Sequence, residues 1–139
     1  MSTWEPFSAP ARHAFVRAQA VAQMFGSSSI GPEHVAFALA EADDDVGRAF
    51  ANALDRDAIR ARLGVASAPP AEEMTFSRET KRVIEAAFEN ARALNHALVG
   101  NGHIALGILD AEDPPKLAAG TEQIVLRAEL QRLAEVETG

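Results

Sequence analysis

The chain of 139 residues has no cysteine and no tyrosine. Without cysteine there are no disulfides and no thiolate metal sites, which is compatible with a reducing compartment. Without tyrosine the aromatic content is only 6%, carried by seven Phe and one Trp. β-Branched residues are sparse and rarely alternate with polar ones, whereas alanine is abundant, a balance that favours helix over strand. No apolar run approaches the roughly 20 residues that span a bilayer. The N-terminal residues Met1 to Pro6 carry neither a basic n-region nor an apolar h-region, so they do not read as a signal peptide. A cytoplasmic location is the expectation. Positive charge is in deficit, with 13 Lys and Arg against 20 Asp and Glu and a formal net charge of −7. Binding to nucleic acid or to anionic membranes relies on Lys and Arg facing phosphates, so neither is an expected partner.

The residues that are present fall into two similar halves. Gly64 to Thr75 is rich in small residues and holds Pro69-Pro70, a pair that cannot sit inside a helix because both amide donors are missing. It reads as a linker between a first repeat, about 4–63, and a second, about 76–136. A shift of 69 residues lays Phe7-Ser8 on Phe76-Ser77, Ala18 on Ala87, Ala22 on Ala91, Gly31 on Gly100 and His34 on His103. Apolar positions coincide throughout, for example Phe15 with Ile84 and Ile30 with Val99. Two copies are too few for a solenoid. The length suits one domain, 1–139, that is all-α: a pseudo-twofold bundle of two four-helix repeats.

In the first half Ala14, Phe15, Ala18, Val21, Ala22 and Phe25 follow the spacing of one buried helical face. Val83, Ile84, Ala87, Phe88, Ala91 and Leu94 do the same in the second. Ser8 and Ser77 are N-cap candidates, and Gly26 and Asn95 stand where a left-handed residue ends a helix. A shorter helix follows in each half, starting at Pro32 and after the N-cap candidate Asn101. Both are apolar nearly all round and are expected at the centre of each repeat. Weaker amphipathic stretches, about Val46–Leu63 and Thr121–Val136, close the halves, and Pro114-Pro115 breaks the chain before the second.

Catalytic chemistry is hard to find. There is no phosphate-binding GxxxxGK[ST] loop, no HExxH and no G-x-S-x-G elbow. His34 and His103, with Glu33, suggest an acid–base pair, but their equivalent places near helix starts favour local bonding to backbone. No enzymatic activity, no cofactor and no metal are expected. The aromatics outside the helices are different. Phe7 and Phe76 sit where a hydrophobic staple would pack on the first turns. Trp4 lies further out and suits an anchor for a partner.

The run from Phe76-Ser77 through the long helix to Leu94-Asn95-His96-Ala97-Leu98-Val99-Gly100-Asn101-Gly102-His103-Ile104-Ala105-Leu106-Gly107-Ile108-Leu109 resembles the repeat of the Clp N-terminal domain. That domain caps the ClpA and ClpC unfoldases, where the usual wording is L-G-H-N-Y-I-G-T-E-H-L-L-L-G-L-L. Ile30 to Leu39 resembles a more diverged copy, and the likeness covers about Trp4 to Leu133. It implies a bundle of eight helices that docks protein substrates, adaptors or regulatory ligands for an unfoldase. In ClpC-type relatives, aromatics beside the first and fifth helices form a patch that binds cyclic-peptide antibiotics. Trp4 and Phe76 match those positions and Lys81 matches a basic residue at its edge; Phe7, the repeat equivalent of Phe76, is expected near both beside the junction of the repeats. The family's G-T-E-H glutamates can hold the guanidinium of phosphoarginine. Glu33 keeps that acid, whereas Gly102 replaces it in the second copy, and Pro32 and Asn101 replace the threonines.

The unfoldases continue into two ATPase modules, and this chain stops at Gly139. If complete, it is expected to be a monomeric stand-alone relative: a decoy, an adaptor-like binder, or a sink for peptide antibiotics that target ClpC-type unfoldases; if part of a longer protein, it is the substrate-gathering head of the larger machine. The peptide- or ligand-binding candidates are therefore Trp4, Phe7, Phe76, Lys81 and Glu33.

Overall fold

The long helix of each half starts and stops where the side chains dictate. The computed structural model describes residues 6–63 and 75–138. Helix α1, Ala9–Met24, begins at Ser8, whose hydroxyl accepts the Ala11 N–H at 3.3 Å. Helix α5, Arg78–Ala93, begins in the same way at Ser77, which accepts from Thr80 N at 3.2 Å. Just beyond their C-caps, Gly26 (φ 66°) and Asn95 (φ 62°) turn the chain left-handed. The inner faces bury Ala14, Phe15, Ala18, Val21 and Ala22 in α1 and Val83, Ala87 and Ala91 in α5.

The short helices α2, Pro32–Ala40, and α6, Asn101–Leu109, occupy the centre. Residues 34–40 and 101–109 are buried without exception. Such all-round burial is what apolar composition with no polar face requires. The N-cap of α6 is Gly100, not Asn101, which is the first helical residue. The Asn101 side chain instead reaches across to the other repeat, donating to Asp44 Oδ2 at 3.1 Å.

The two halves exchange their lead-in segments. Ser29–Ile30 (β1) pairs in parallel with Thr75–Phe76 (β2), with Ile30 opposite Phe76. Phe7 makes the equivalent parallel bridge to Val99. Ser77 N donates to Ile30 O at 3.0 Å, and Ser8 N donates to Val99 O at 2.9 Å. Residues that correspond under the 69-residue shift therefore make corresponding bonds, each from one repeat to the other. This reciprocity is the local signature of a pseudo-twofold relation.

The remaining helices differ between halves. The stretch expected as one amphipathic run divides into α3, Asp45–Ala53, and α4, Arg56–Leu63. Asp44 caps α3 by accepting Gly47 N at 2.7 Å, and Asp55 accepts Ala58 N at the start of α4. The second half has a single further helix, α7, Gln123–Thr138, so the described residues hold seven helices where eight were expected. Pro114-Pro115 supplies the reason, since neither residue can donate to a helix. The segment after them lies alongside the α3–α4 corner. Leu117 bridges Leu54, and Ala118 N donates to Ala53 O at 2.7 Å. Of the expected linker, residues 64–74 lie outside the described residues, and Thr75 is part of β2.

Candidate functional site

A cleft of about 640 Å³ opens between the repeats. The N-terminal turn of α2 forms one wall with Gly31, Pro32, Glu33 and His34, the outer turns of α5 form another, and the loop after α6 closes it. Carboxylates of Glu33, Glu79, Asp110, Glu112 and Asp113 outnumber the guanidiniums of Arg62 and Arg82 among its lining residues. Glu33 is the most enclosed of the paired acids, with its side chain 17% exposed, and its Oε1 lies 3.5 Å from Arg62 Nε. Arg62 also pairs with Asp113, so one guanidinium from α4 ties the first repeat to a loop of the second.

The histidines at the helix starts act on backbone. His34 Nδ1 accepts the Gly31 N–H at 2.8 Å, and His103 Nδ1 accepts the Gly100 N–H at 2.9 Å. An accepting Nδ1 places the proton on Nε2. In His103 that Nε2 faces His96 Nδ1 at 2.9 Å, while His34 Nε2 is buried with no hydrogen-bond partner among the described residues. Burial lowers the pKa of His34. Burial, followed by the neighbouring His96, pushes His103 down to about 4. Both rings are neutral near pH 7, and both are committed to capping.

The hydroxyls of Ser27 and Ser77 in the cleft are likewise engaged. Ser27 Oγ donates to Ser29 O at 2.7 Å, and Ser77 Oγ serves its own helix start. Thr80 Oγ1 donates to Ile30 O at 2.7 Å, so Ser77 Oγ, 3.0 Å away, is the donor to Thr80. Among the described residues no group of three or more His, Cys, Asp or Glu is placed to hold a metal ion, and no helix is long and apolar enough to cross a membrane. The arrangement can bind by charge and hydrogen bonding, with an excess of acceptors.

The described site residues named from the sequence are spread over core, cleft and surface. Phe7 is 3% exposed and belongs to the core, with its ring 5.3 Å from both Phe15 and Phe88 in edge geometry. That burial corrects the expectation of a surface contact: the bridge to Val99 draws the Phe7 backbone inward, and its ring packs on Phe15 and Phe88. Phe76 is half-buried, with its ring 5.4 Å from Phe15. Phe7 and Phe76 thus both pack against the Phe15 ring. Lys81 is exposed one turn into α5, and Trp4 lies outside the described residues. Glu33 lines the cleft. Arg62 and Asp113, its charged companions, were not anticipated. They are 51 positions apart in the chain, and only their opposite charges hinted at a pairing.

The profile of the Clp repeat (R) N-terminal domain matches residues 6–116. The chain belongs to the Clp repeat N-terminal domain family. An uncharacterized protein of Mycobacterium tuberculosis is 30% identical over 111 residues, covering 77% of this chain and 44% of that protein. The chloroplastic chaperone protein ClpD2 of Oryza sativa is 32% identical over 122 residues, covering 81% of this chain and 13% of that protein. The chain thus spans less than half the length of these curated relatives. Among solved structures, the N-terminal domain of ClpD from Arabidopsis thaliana has a TM-score of 0.70 at 23% identity, covering 98% of this chain and 97% of that one. The Hsp104 N-terminal domain from Candida albicans has a TM-score of 0.66 at 17% identity, covering 91% and 90%. Both structural likenesses concern the fold.

The Clp repeat of the second half departs from the first for a packing reason. A Cβ on Gly102 would stand 2.7 Å from Ala134 Cβ and 2.9 Å from Ala134 Cα. Helix α7 rests directly on the position where Glu33 stands in the first repeat. The cleft acid therefore has no counterpart in the second Clp repeat, and α7 occupies its space.

Proposed function

We propose that this chain is a non-enzymatic docking module for Clp-type unfoldases, binding protein substrates or adaptors. The observation that carries this reading is the inter-repeat cleft with Glu33 on its wall. Its surplus of carboxylates suits basic and amide-rich segments of an unfolded chain. Family membership supports the reading, because Clp N-terminal domains serve as docking heads rather than catalysts. The engaged histidines and serines also support it, since each has a structural bond in place of a reactive partner. Within the proposal the module is a cytoplasmic monomer, Phe76 and Lys81 extend its contacts along the start of α5, and Trp4 is a further anchor for a partner.

The test is binding of a labelled, reduced and alkylated lysozyme (a basic, unfolded chain) followed by fluorescence anisotropy. Micromolar binding that weakens about tenfold in Glu33→Lys supports the proposal. Absence of binding at about 100 μM, or equal binding by the variant, overturns it.

The second reading is a sink for cyclic-peptide antibiotics. The partly exposed Phe76 ring, with exposed Lys81 one turn on, favours it. The burial of Phe7 counts against it, because one of the three aromatics is spent on the core. Titration with an aromatic cyclic peptide against Phe76→Ala discriminates the two: loss of peptide binding with unfolded lysozyme still bound assigns the peptide to this patch.

A further inference from the structure

Helix α1 is unlike its counterpart α5 on the outer face. Val16 is 70% exposed and Met24 73% exposed, with exposed Ala20 between them at helical i, i+4, i+8 spacing. The 69-residue shift places Glu85, Glu89 and Ala93 at the same positions of α5. One repeat thus presents an apolar stripe where the other presents two carboxylates. Exposed apolar side chains in line on a surface helix are the kind of patch that a partner covers.

The charge on α1 is also one-sided. The protein carries a net −7, yet the Ala9–Met24 segment has no acidic residue and holds Arg12, His13 and Arg17. Arg12 Nε donates to Phe7 O at 3.1 Å, and Arg17 Nη1 donates to Ala38 O at 3.0 Å. Each guanidinium is anchored by a backbone carbonyl, and no carboxylate pairs with either among the described residues. Their positive charge remains uncompensated one turn before Val16 and directly after it.

We infer that the outer face of α1 docks an acidic amphipathic segment of a partner protein, with apolar side chains seated on Val16, Ala20 and Met24 and carboxylates on Arg12 and Arg17. A second copy of this chain fits less well. Its acidic stripe, Glu85 and Glu89 on α5, supplies the charge but no large apolar group to cover Val16 and Met24, and the exposed Ile124 and Val136 of its α7 stand at opposite ends of that helix with Arg127 and Arg132 between them. The surface is separate from the acidic cleft and opposite in charge. The inference rests on the docking-module reading for the partner's being a protein, and a module with two surfaces could hold one partner while receiving another.

The probe is a synthetic helical peptide of about four turns, with Leu at every fourth position and Glu flanking that face. It is titrated by anisotropy into the whole chain and into the double variant Val16→Glu, Met24→Glu, which copies the acidic character of α5. Both replaced side chains are exposed, and circular dichroism checks that helix content is kept. Binding of the Glu-flanked peptide, weakened about tenfold or more by the double variant and lost when Lys replaces its Glu, supports the inference. Equal binding by the variant, or equal binding of the Lys-flanked peptide, overturns it. Concentration-dependent self-association that the double variant abolishes overturns it in favour of a second copy. Unfolded lysozyme should bind the double variant as it binds the parent. A peptide that fails while lysozyme binds sinks the α1 surface alone, and lysozyme failing while the peptide binds sinks only the cleft reading.

Discussion

His96 Nδ1 and His103 Nε2 lie 2.9 Å apart, and the other nitrogen of His103 accepts the N–H of Gly100. His103 is fully buried. A second proton on this ring would have to sit on Nδ1, pointing at an N–H that already points back. Protonation therefore breaks the start of α6 as well as placing a charge in the core. The folded-state pKa, about 4, lies below the ordinary value of 6.5. Between those values the unfolded chain binds more protons than the folded one, so stability rises with pH across the window. The full contribution is present above pH 6.5 and is lost as pH falls towards 4. The loss from His103 amounts to about 3 kcal/mol, and His34 acts in the same direction. Urea titrations at stepped pH should show this slope. His103→Gln should flatten it between pH 4 and 6.5 whatever its baseline stability, and an unchanged slope would remove His103 as its source.

Gly102 sits under α7, and the family's acid cannot be restored there. Gly102→Glu would force its Cβ into the Ala134 backbone and bury a carboxylate. Overpacking and an unpaired charge together should cost about 3 kcal/mol or more, displacing α7 from α6. At the half-buried Glu33, the change Glu33→Gln should cost under about 1 kcal/mol, because the ion pair with Arg62 is loose. Chemical denaturation of the two variants compares them directly. A Gly102→Glu protein as stable as the parent would mean that α7 does not seal this position.

The long helices α1 and α5, the central helices α2 and α6, and the caps Ser8, Ser77, Gly26 and Asn95 were legible because each is written in a local period or an end signal. Other features were not, for identifiable reasons. Leu54 is the C-cap of α3 and Asp55 caps α4 inside an uninterrupted amphipathic pattern, so the break between the two helices carries no Gly or Pro to mark it. Asn101 looked like an N-cap, but His103 already serves Gly100 and the amide is drawn to Asp44. The exchange of Phe7 with Val99 and Phe76 with Ile30 has no local signal. Its consequence, that Phe7 enters the core, depends on pairing between distant segments. Of the cleft, Glu33 could be named from the repeat alignment. Arg62 and Asp113 could not, since nothing local distinguishes them from other surface charges.

The two serine caps offer a test of the repeat relation. Ser8→Ala and Ser77→Ala each remove the acceptor for an N–H of the first turn, at a cost of about 1 kcal/mol. Ser77 does more, since it also donates to Thr80, which in turn donates to Ile30 O in the other repeat. Ser77→Ala should exceed Ser8→Ala by roughly 0.5–1 kcal/mol. Urea midpoints at a constant m-value measure the difference. Equal losses would show that the Ser77–Thr80–Ile30 chain adds nothing to the cap.

Arg62 is the chain's own guanidinium in the cleft. It stands 3.5 Å from Glu33 and pairs with Asp113, so two of the cleft's carboxylates are already satisfied from within the protein. Its side chain is half exposed, and exposed pairs of this kind contribute little to stability. Arg62→Ala should therefore change stability by under about 1 kcal/mol while exposing both acids to a ligand. An arginine-containing peptide brought to the cleft must compete with Arg62 in the parent and meets no competitor in the variant. Affinity for that peptide should rise about tenfold, and its salt dependence should steepen because two more charges are available to pair. Anisotropy titrations at two salt concentrations read both quantities. A fall in affinity would reverse the assignment, because Arg62 would then be contacting the ligand itself, as a donor to the carbonyls of a bound segment, and Glu33 and Asp113 would serve to orient it.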